Sequence, residues 1–274
     1  MQMASIWCMC LSVIVSDTNA KRAVRVWLFF ETLRQTGRIL MSIHDVFEGS
    51  RLLTETVDLL AQRQLYLTVG EDFDLYKALI SEFRPSQPVS LPFDPARSDL
   101  SDGKGFWSVG RNPQGKIVQT QAVRLIDLQG QTLADHMNRN FRAYPPSGVP
   151  IDLDDSWYRS GPGARRISGR VCYHGEMWIN PEEGNYRGRG IVDILARFAF
   201  LSSQLHWQPD YVFGFMPRTI ARRGLAEREG YMHVDPYCLS WKITGQNKPV
   251  EGNMVYMGHE DIQHIIQVPL ELAA

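Results

Sequence analysis

The chain has 274 residues, 44% of them hydrophobic and 22% charged, which is ordinary for a folded globular protein. Its formal net charge of −1 argues against a general binder of nucleic acid or of membrane surfaces. The four cysteines show no zinc-ribbon spacing and no accompanying histidine cluster, so no metal site is predicted. A reducing cytoplasm is the simplest setting for such a chain.

The N-terminal segment is distinct from the rest. Residues 6–15 form an apolar run that is too short to cross a bilayer. No Lys or Arg precedes this run, so the basic region of a secretion signal is missing. Met41 is a more natural domain start. We therefore expect residues 1–40 to be an extension, either a mis-start or an appended helix, and residues 41–274 to form a single domain.

Periodicity and turn residues predict helices, a hairpin and two irregular segments in the following part of the chain. In order, these are helices over 46–63 and 72–83, a proline-rich extended connector over 85–95, strands over 106–110 and 116–128, a short helix over 132–141 and a long loop over 144–170.

Residues 170–180 are predicted to form a strand. Because side chains alternate along a strand, each face receives every second residue. Val171, Tyr173, Gly175, Met177 and Ile179 are expected on one face, and Cys172, His174, Glu176 and Trp178 on the other.

A segment rich in glycine and arginine follows this strand and leads into an amphipathic helix. The helix is indicated by apolar residues at helical spacing: Ile191, Ile194, Leu195, Phe198, Leu201 and Leu205. A helix N-terminus presents unpaired N–H groups and the positive end of the dipole, and glycines let the backbone approach a ligand. We therefore predict a phosphate cradle formed by the amides from Arg187 to Ile191.

Two common phosphate-binding loops do not fit this segment. A P-loop requires Gly-Lys-Ser/Thr after a four-residue spacer, and the sequence contains no such string. A dinucleotide fingerprint requires glycine or alanine at the position of Asp193, whose carboxylate would oppose a pyrophosphate. The next elements are a short apolar strand, 210–216, and a basic helix over 217–229 that ends at Gly230 and Tyr231.

These residues resemble the GNAT N-acetyltransferase superfamily. The acetyl-CoA pyrophosphate loop of that family reads Gln/Arg-x-x-Gly-x-Gly/Ala, after a strand that ends in hydrophobic-x-Pro. Here Asn185-Tyr186-Arg187-Gly188-Arg189-Gly190 follows Ile179-Asn180-Pro181, with Asn185 in place of Gln or Arg and with a longer spacer. The segment from Leu225 to Tyr231 resembles the family's Leu-Tyr-Glu-x-x-Gly-Phe. The resemblance covers residues 104–245 as architecture and is specific over 176–231.

The resemblance implies an α/β (α+β) fold with a mixed, mostly antiparallel central sheet and helices on both faces. It implies acetyl-CoA as cosubstrate and an amine of unknown identity as acceptor. No nucleic acid or membrane partner is expected, and a homodimer is left open. The residues expected to bind the cosubstrate are Ile179, Asn185, Arg187, Gly188, Arg189, Gly190 and Ile191.

The catalytic residues implied by the resemblance are less complete. Glu176 is the first candidate for the general base, and His174 is the second. The family commonly places a tyrosine as general acid at the position of Ala226, which has no proton to donate. Tyr231, Tyr237 and Cys238 are nearby donors outside the motif. The alternatives are therefore a non-catalytic CoA-binding or regulatory module, or an acyl-CoA enzyme with a longer acyl chain or a hydroxyl acceptor.

Overall fold

A sheet of eight strands lies at the centre of the described part of the computed structural model, which covers residues 42–101, 103–182, 186 and 190–269. The strands are β1 (Tyr66–Gly70), β2 (Gly105–Arg111), β3 (Ile117–Thr132), β4 (Ile151–Tyr158), β5 (Ser168–Ile179), β6 (Tyr211–Pro217), β7 (His233–Ile243) and β8 (Val250–Gly258). Their spatial order is β1-β2-β3-β5-β6-β8-β7-β4. Only β5 and β6 pair in parallel, so the predicted mixed, mostly antiparallel sheet is confirmed.

Helices cover both faces of this sheet. They are α1 (Ile43–Gln62), α2 (Phe73–Phe83), α3 (Leu133–Asn140), α4 (Pro162–Arg166), α5 (Ile191–Trp207), α6 (Arg218–Ala221), α7 (Leu225–Arg228) and α8 (His259–Gln267). Cys172 of β5 belongs to the core formed with α1 and α5, whereas its neighbours Val171 and Tyr173 pack in cores formed with α2, α3 and α4. Since adjacent strand residues point to opposite faces, these helix groups lie on opposite sides of the sheet.

Side-chain caps account for three of the helix starts. Ser42 and Asp45 form a capping box at α1, and Thr132 and Asp135 form another at α3. The Asp72 side chain accepts a hydrogen bond from the backbone N–H of Leu75 and caps α2. These contacts explain why the predicted helices over 46–63, 72–83 and 132–141 agree with the structure to within a few residues.

Three predicted segments differ from the structure. The single helix over 217–229 is wrong: α6 and α7 are separate turns, because Gly224 between them adopts a left-handed conformation with φ of 76°. The long loop over 144–170 is also wrong, since it contains β4 and α4. β4 pairs with β7 only near its two ends, at Ile151–Asp152 and Trp157–Tyr158. The proline-rich connector contains a short 3-10 turn, Leu91–Phe93.

The expected division of β5 side chains between two faces is wrong beyond Gly175. Thr120 and Ala122 of β3 face Trp178 and Gly175, so β5 carries one extra residue at this point. Such an insertion is a β-bulge, and it reverses the side-chain alternation downstream. Glu176 sits in the bulge with φ of 56°. Its carboxylate therefore lies on the α2 face and not with His174.

Residues 41–274 cluster as one compact unit, and the division from the upstream segment, the first unit, falls between residues 40 and 41. The first unit lies outside the described residues, so the expectation of an extension or mis-start stays a prediction.

We propose that Met41–Ala274 folds without the upstream residues. A chain that begins at Met41 is expected to unfold within about 8 °C of the full chain, because a domain of this size loses about 2–4 °C per kcal/mol of stability. Thermal unfolding of both chains measures the difference. A larger fall in the melting temperature would show that residues 1–40 contribute to the core.

Candidate active site

A notch opens between the two parallel strands of the sheet. β5 and β6 pair at Val171–Tyr211, Cys172–Val212 and Tyr173–Phe213. Beyond that point β5 pairs only with β3, and β6 only with β8, among the described residues. We call the space between residues 174–179 of β5 and 214–217 of β6 the β5–β6 notch. Strand edges that lack a partner strand keep backbone N–H and C=O groups available for a ligand.

The two backbones are still close at the vertex of the notch. A Cβ atom on Gly214 would lie 2.9 Å from the carbonyl oxygen of His174, so no larger residue fits there without a shift. On β5, a Cβ on Gly175 would lie 2.8 Å from the ring of Phe93. Both glycines are therefore required by close approach, and together they keep the vertex free of side-chain bulk.

The bulge exposes main chain along the notch. The side chain of Glu176 is only 5% exposed, yet the residue as a whole is half-buried, so most of its accessible surface belongs to the backbone. Gly175, Met177 and Trp178 are half-buried as well. A bulge commonly redirects backbone groups next to functional sites. The accessible backbone of Gly175 and Glu176 is thus a polar surface on the β5 arm of the notch.

A buried ion pair holds the bulge, and we call it the Glu176–Arg84 latch. Arg84 Nη2 donates to Glu176 Oε2 at 2.8 Å, and the backbone N–H of Ser90 donates to Glu176 Oε1 at 2.8 Å. Arg84 Nε donates to the carbonyl of Gln87, and its guanidinium lies 5.6 Å from the ring centroid of Trp178. Thr120 Oγ1 donates to the carbonyl of Glu176 at 2.9 Å. These contacts offset the roughly 1–2 kcal/mol cost of a left-handed non-glycine residue.

His174 lies on the opposite face, packed edge-on against Phe200 of α5. Its Nδ1 is 3.0 Å from the hydroxyl of Tyr231, and its Nε2 is 3.3 Å from Gln121 Oε1. Gln121 donates through Nε2 to the carbonyl of Leu195, so we assign Oε1 as acceptor from His174 and Nδ1 as acceptor from Tyr231. Burial lowers the pKa of His174 to about 4, so the ring is neutral near pH 7. The expectation that His174 and Glu176 are neighbours on one face is therefore wrong.

The N-terminus of α5 completes the site. Gly190 is the N-cap residue of α5 and has φ of 67°. Since glycine has no side chain, no side chain at the N-cap position hydrogen-bonds to the first N–H groups of the helix. Asp193, which lies in the first turn, is 3.2 Å from Arg197 Nε of the next turn, and this ion pair offsets its negative charge. Ile179 and Ile191 are core side chains, so either could contact a ligand mainly through its backbone. The other four predicted binding residues, Asn185, Arg187, Gly188 and Arg189, lie outside the described residues.

Topology places these parts at one edge of the sheet. β5 leads into α5, α5 crosses back over the sheet, and β6 then runs parallel to β5. The carboxyl ends of both strands and the N-terminus of α5 therefore share one edge, and the notch opens towards that edge. Ligands of α/β sheets bind at this location because diverging strands and helix N-termini meet there.

Sequence reasoning missed Arg84 and did not single out Tyr173 or Ser90 at the site. The pair Gly175-Glu176 inside a strand was the one available signal, because an isolated glycine in a strand often marks a bulge. The other donors proposed for the general acid lie elsewhere. Tyr237 is 39% exposed beside Arg218, and the Sγ of Cys238 faces the carbonyl of Gly252 in the core. Both residues are on β7, which is two strands away from β6.

The described ranges contain neither a cluster of potential metal ligands nor a helix that could span a membrane. No cluster of three or more His, Cys, Asp or Glu side chains there is arranged to hold a metal ion. None of the helices in those ranges combines the length and the apolar character that a bilayer crossing needs.

Solved structures of acetyltransferases are similar to this chain at low identity. A chimera of the spermidine N-acetyltransferase SpeG from Vibrio cholerae and hSSAT is 14% identical, with 73% of this chain and 99% of that chain covered and a TM-score of 0.41. Arabidopsis thaliana NAA60 in complex with acetyl-CoA is 10% identical, with coverage of 70% and 98% and a TM-score of 0.41. No family model and no curated protein matches the chain. Function is therefore inferred from the site itself.

A buried carboxyl next to Tyr231 makes stability depend on pH. Burial raises the pKa of Glu229 to about 7, against 4.5 for the unfolded chain, although Arg228 opposes the shift. A raised pKa means that the folded state binds the proton more tightly. The contribution of Glu229 to the free energy of unfolding is complete below about pH 4.5. This contribution, about 3 kcal/mol, is lost as the pH rises from 4.5 towards 7.

Glu229→Gln is expected to raise the melting temperature above that of the wild type at pH 8 and to leave it unchanged at pH 4. Thermal unfolding across this range, with the exposed Glu227→Gln as matched control, measures the effect. Equal gains for the two variants at pH 8 would contradict a specific role of the buried carboxyl.

Proposed function

We propose that this chain is an acyl-CoA-dependent N-acyltransferase that transfers an acetyl group from acetyl-CoA to an amine. The observation that carries the proposal is the β5–β6 notch, which opens at the same sheet edge as the glycine-capped N-terminus of α5. Of the described residues, Cys172 and Cys238 are buried cysteines, and we propose a cytoplasmic setting for the protein.

The open strand edges of the notch and the N-terminus of α5 suit the polar groups of acetyl-CoA. The pantetheine arm is an extended chain with two amide groups, and such a chain can hydrogen-bond to an open strand edge as an added strand does. The diphosphate carries the charge that a helix N-terminus favours. With the diphosphate at α5 and the arm along β5, the thioester comes to the vertex, next to the accessible backbone of Gly175 and Glu176.

The chemistry at the vertex follows from these groups. The amine attacks the thioester carbonyl and must lose a proton, and the oxyanion must be stabilised. We propose that backbone N–H groups of the bulge stabilise the oxyanion. We propose Glu176 as the base, directly or through water, because each carboxylate oxygen accepts one hydrogen bond in the latch and retains a second acceptor site. His174 is the second candidate, although both ring nitrogens are engaged on the other face.

A non-catalytic CoA-binding module is the second candidate function. It is favoured by Ala226, which replaces the tyrosine that the family commonly uses as acid. Amine-dependent release of free CoA thiol separates the two functions, because both of them predict CoA binding and only the enzyme predicts turnover.

Substitutions at Val192 test whether the CoA diphosphate binds at the first turn of α5. Val192→Glu places a negative charge near the proposed diphosphate, and Val192→Gln is the neutral control of similar size. We expect the Glu variant to bind CoA at least about tenfold more weakly than the Gln variant, or about 1.4 kcal/mol, with a smaller difference at high salt. Isothermal titration measures both affinities. Equal affinities for the two variants would place the diphosphate elsewhere.

Substitution of Glu176 tests its proposed role as the general base. Loss of a general base costs about 10²–10⁴-fold in rate, so Glu176→Gln is expected to lower kcat/KM at least about a hundredfold without changing the Kd for CoA. The acidic limb of its pH–rate profile should disappear. Arg84→Lys retains the positive charge of the latch and is expected to lose less than tenfold.

Two outcomes would contradict this role for Glu176. Equal losses in the Glu176→Gln and Arg84→Lys variants, with weaker CoA binding in both, would mean that the latch acts only by holding the bulge. A loss confined to His174→Ala would assign the base to His174.

A further inference from the structure

A proton donor assists the departure of the thiol, and the proposed mechanism does not yet name one. When the tetrahedral intermediate collapses, sulfur leaves as a thiolate unless a donor is in contact with it. We propose that Tyr173 is this donor, an inference that rests on the proposed acyl transfer. The proton comes from β5 itself and not from the helix that carries Ala226.

Tyr173 stands at the vertex of the notch. It is the last residue of β5 that pairs with β6, through Phe213. Its ring stacks on Phe93 at 5.4 Å between centroids and lies 5.2 Å from the ring of Phe213. The ring leans along β5 over Gly175: a Cβ there would lie 3.4 Å from both Cε1 and Cζ. Because Cζ carries the hydroxyl, the phenol oxygen is directed towards the bulge.

Three phenols pack around the bulge, and they differ in access and in partners. Tyr76 is completely buried. Tyr231 is 6% exposed, and its hydroxyl is hydrogen-bonded to His174. Tyr173 is half-buried, and within the described part of the chain no hydrogen bond engages its hydroxyl. Of these three phenols, Tyr173 is thus the one that is not fully buried and whose hydroxyl has no hydrogen-bond partner among the described residues.

Burial and the charges around Tyr173 keep its hydroxyl protonated before the reaction. Burial raises the pKa of Tyr173 to about 12, the Glu176 carboxylate adds to the rise, and Arg124 opposes it. The phenol therefore remains protonated at neutral pH. Once Glu176 has taken a proton from the amine, its negative charge is gone and no longer holds the pKa of Tyr173 up. Proton removal from the amine thereby makes Tyr173 a better acid for the following step.

The step balances in atoms and charge. The amine lone pair forms the C–N bond, the carbonyl π electrons move to oxygen, and Glu176 takes the amine proton. On collapse the C=O bond reforms, the C–S bond breaks with its electron pair on sulfur, and the O–H proton of Tyr173 goes to that sulfur. The phenolate then receives the proton held by Glu176. The amine proton has in effect moved to the thiol, and both side chains return to their starting states.

Tyr173→Phe removes the hydroxyl and keeps the ring that packs on Phe93. Tyr231→Phe tests the competing phenol, and Tyr158→Phe, on β4, is a matched control outside the site. CoA affinity is measured first by titration, followed by kcat and KM with the best amine of a panel. The pKa of the bound CoA thiol is then measured from the ultraviolet absorbance of the thiolate. Thermal unfolding of each variant establishes that it is folded.

We expect Tyr173→Phe to lower kcat by at least about a hundredfold with KM and CoA affinity unchanged. The pKa of the bound thiol should rise by about one unit, because a donor that stabilises the thiolate is lost. A loss in Tyr231→Phe that spares Tyr173→Phe would overturn the inference. So would unchanged rates and an unchanged thiol pKa in Tyr173→Phe.

The same measurements test the proposed function separately from the role of Tyr173. If the wild type does not bind CoA, acyl transfer is wrong and the inference falls with it. If the wild type binds CoA but acetylates no amine, the proposed N-acyltransferase activity is wrong. The thiol pKa still decides the placement of Tyr173: a rise in Tyr173→Phe supports contact with the sulfur, and no change overturns it.

Discussion

The ion pair between Arg84 and Glu176 is the interaction on which the site geometry depends. Both side chains are about 95% buried, and removing two charges from water costs several kcal/mol for each ion. Such a pair adds little net stability compared with apolar residues, but loss of one partner leaves a buried charge at a cost of about 3–5 kcal/mol. A straight β5 would direct residue 176 to the α5 face, away from Arg84. The pair therefore favours the bulged register over the straight one.

The bulge divides the polar groups of β5 between two chemical environments. On the α2 face, Tyr173 and Glu176 stand beside a cation and the accessible backbone of the notch. On the α5 face, His174 is held neutral in a closed chain from Tyr231 to Gln121. A series of hydrogen bonds of this kind fixes side-chain positions. The free-energy cost of burying its polar groups is small once every group has a partner. In the proposed mechanism with Glu176 as base, the proton transfers take place on the α2 side, and the hydrogen-bonded groups on the α5 side hold the strand in position.

The parts of the fold that sequence reasoning predicted are those encoded by neighbouring residues. Capping residues such as Ser42 and Thr132, the turn that joins β2 to β3 and the periodicity of α5 all act within a few positions. The latch joins residues 92 positions apart, so no local pattern contains it. β4 was missed because it is an edge strand with paired ends and a bulged middle, and its aspartates have low strand propensity. Strict alternation failed along β5 because a single inserted residue changes the face of every residue after it.

The location of the notch follows from topology. Antiparallel neighbours such as β2 and β3 are joined by a tight turn, which keeps their edges paired over most of their length. Parallel neighbours need a crossover, and here α5 provides it, so the ends of β5 and β6 are free to separate. The same crossover brings the N-terminus of α5 to the edge where they separate. One connection thus supplies both an open strand edge for an extended amide chain and a positive helix end for its phosphates. This is the physical basis for proposing CoA as the ligand, because CoA carries an extended amide chain and phosphates in sequence.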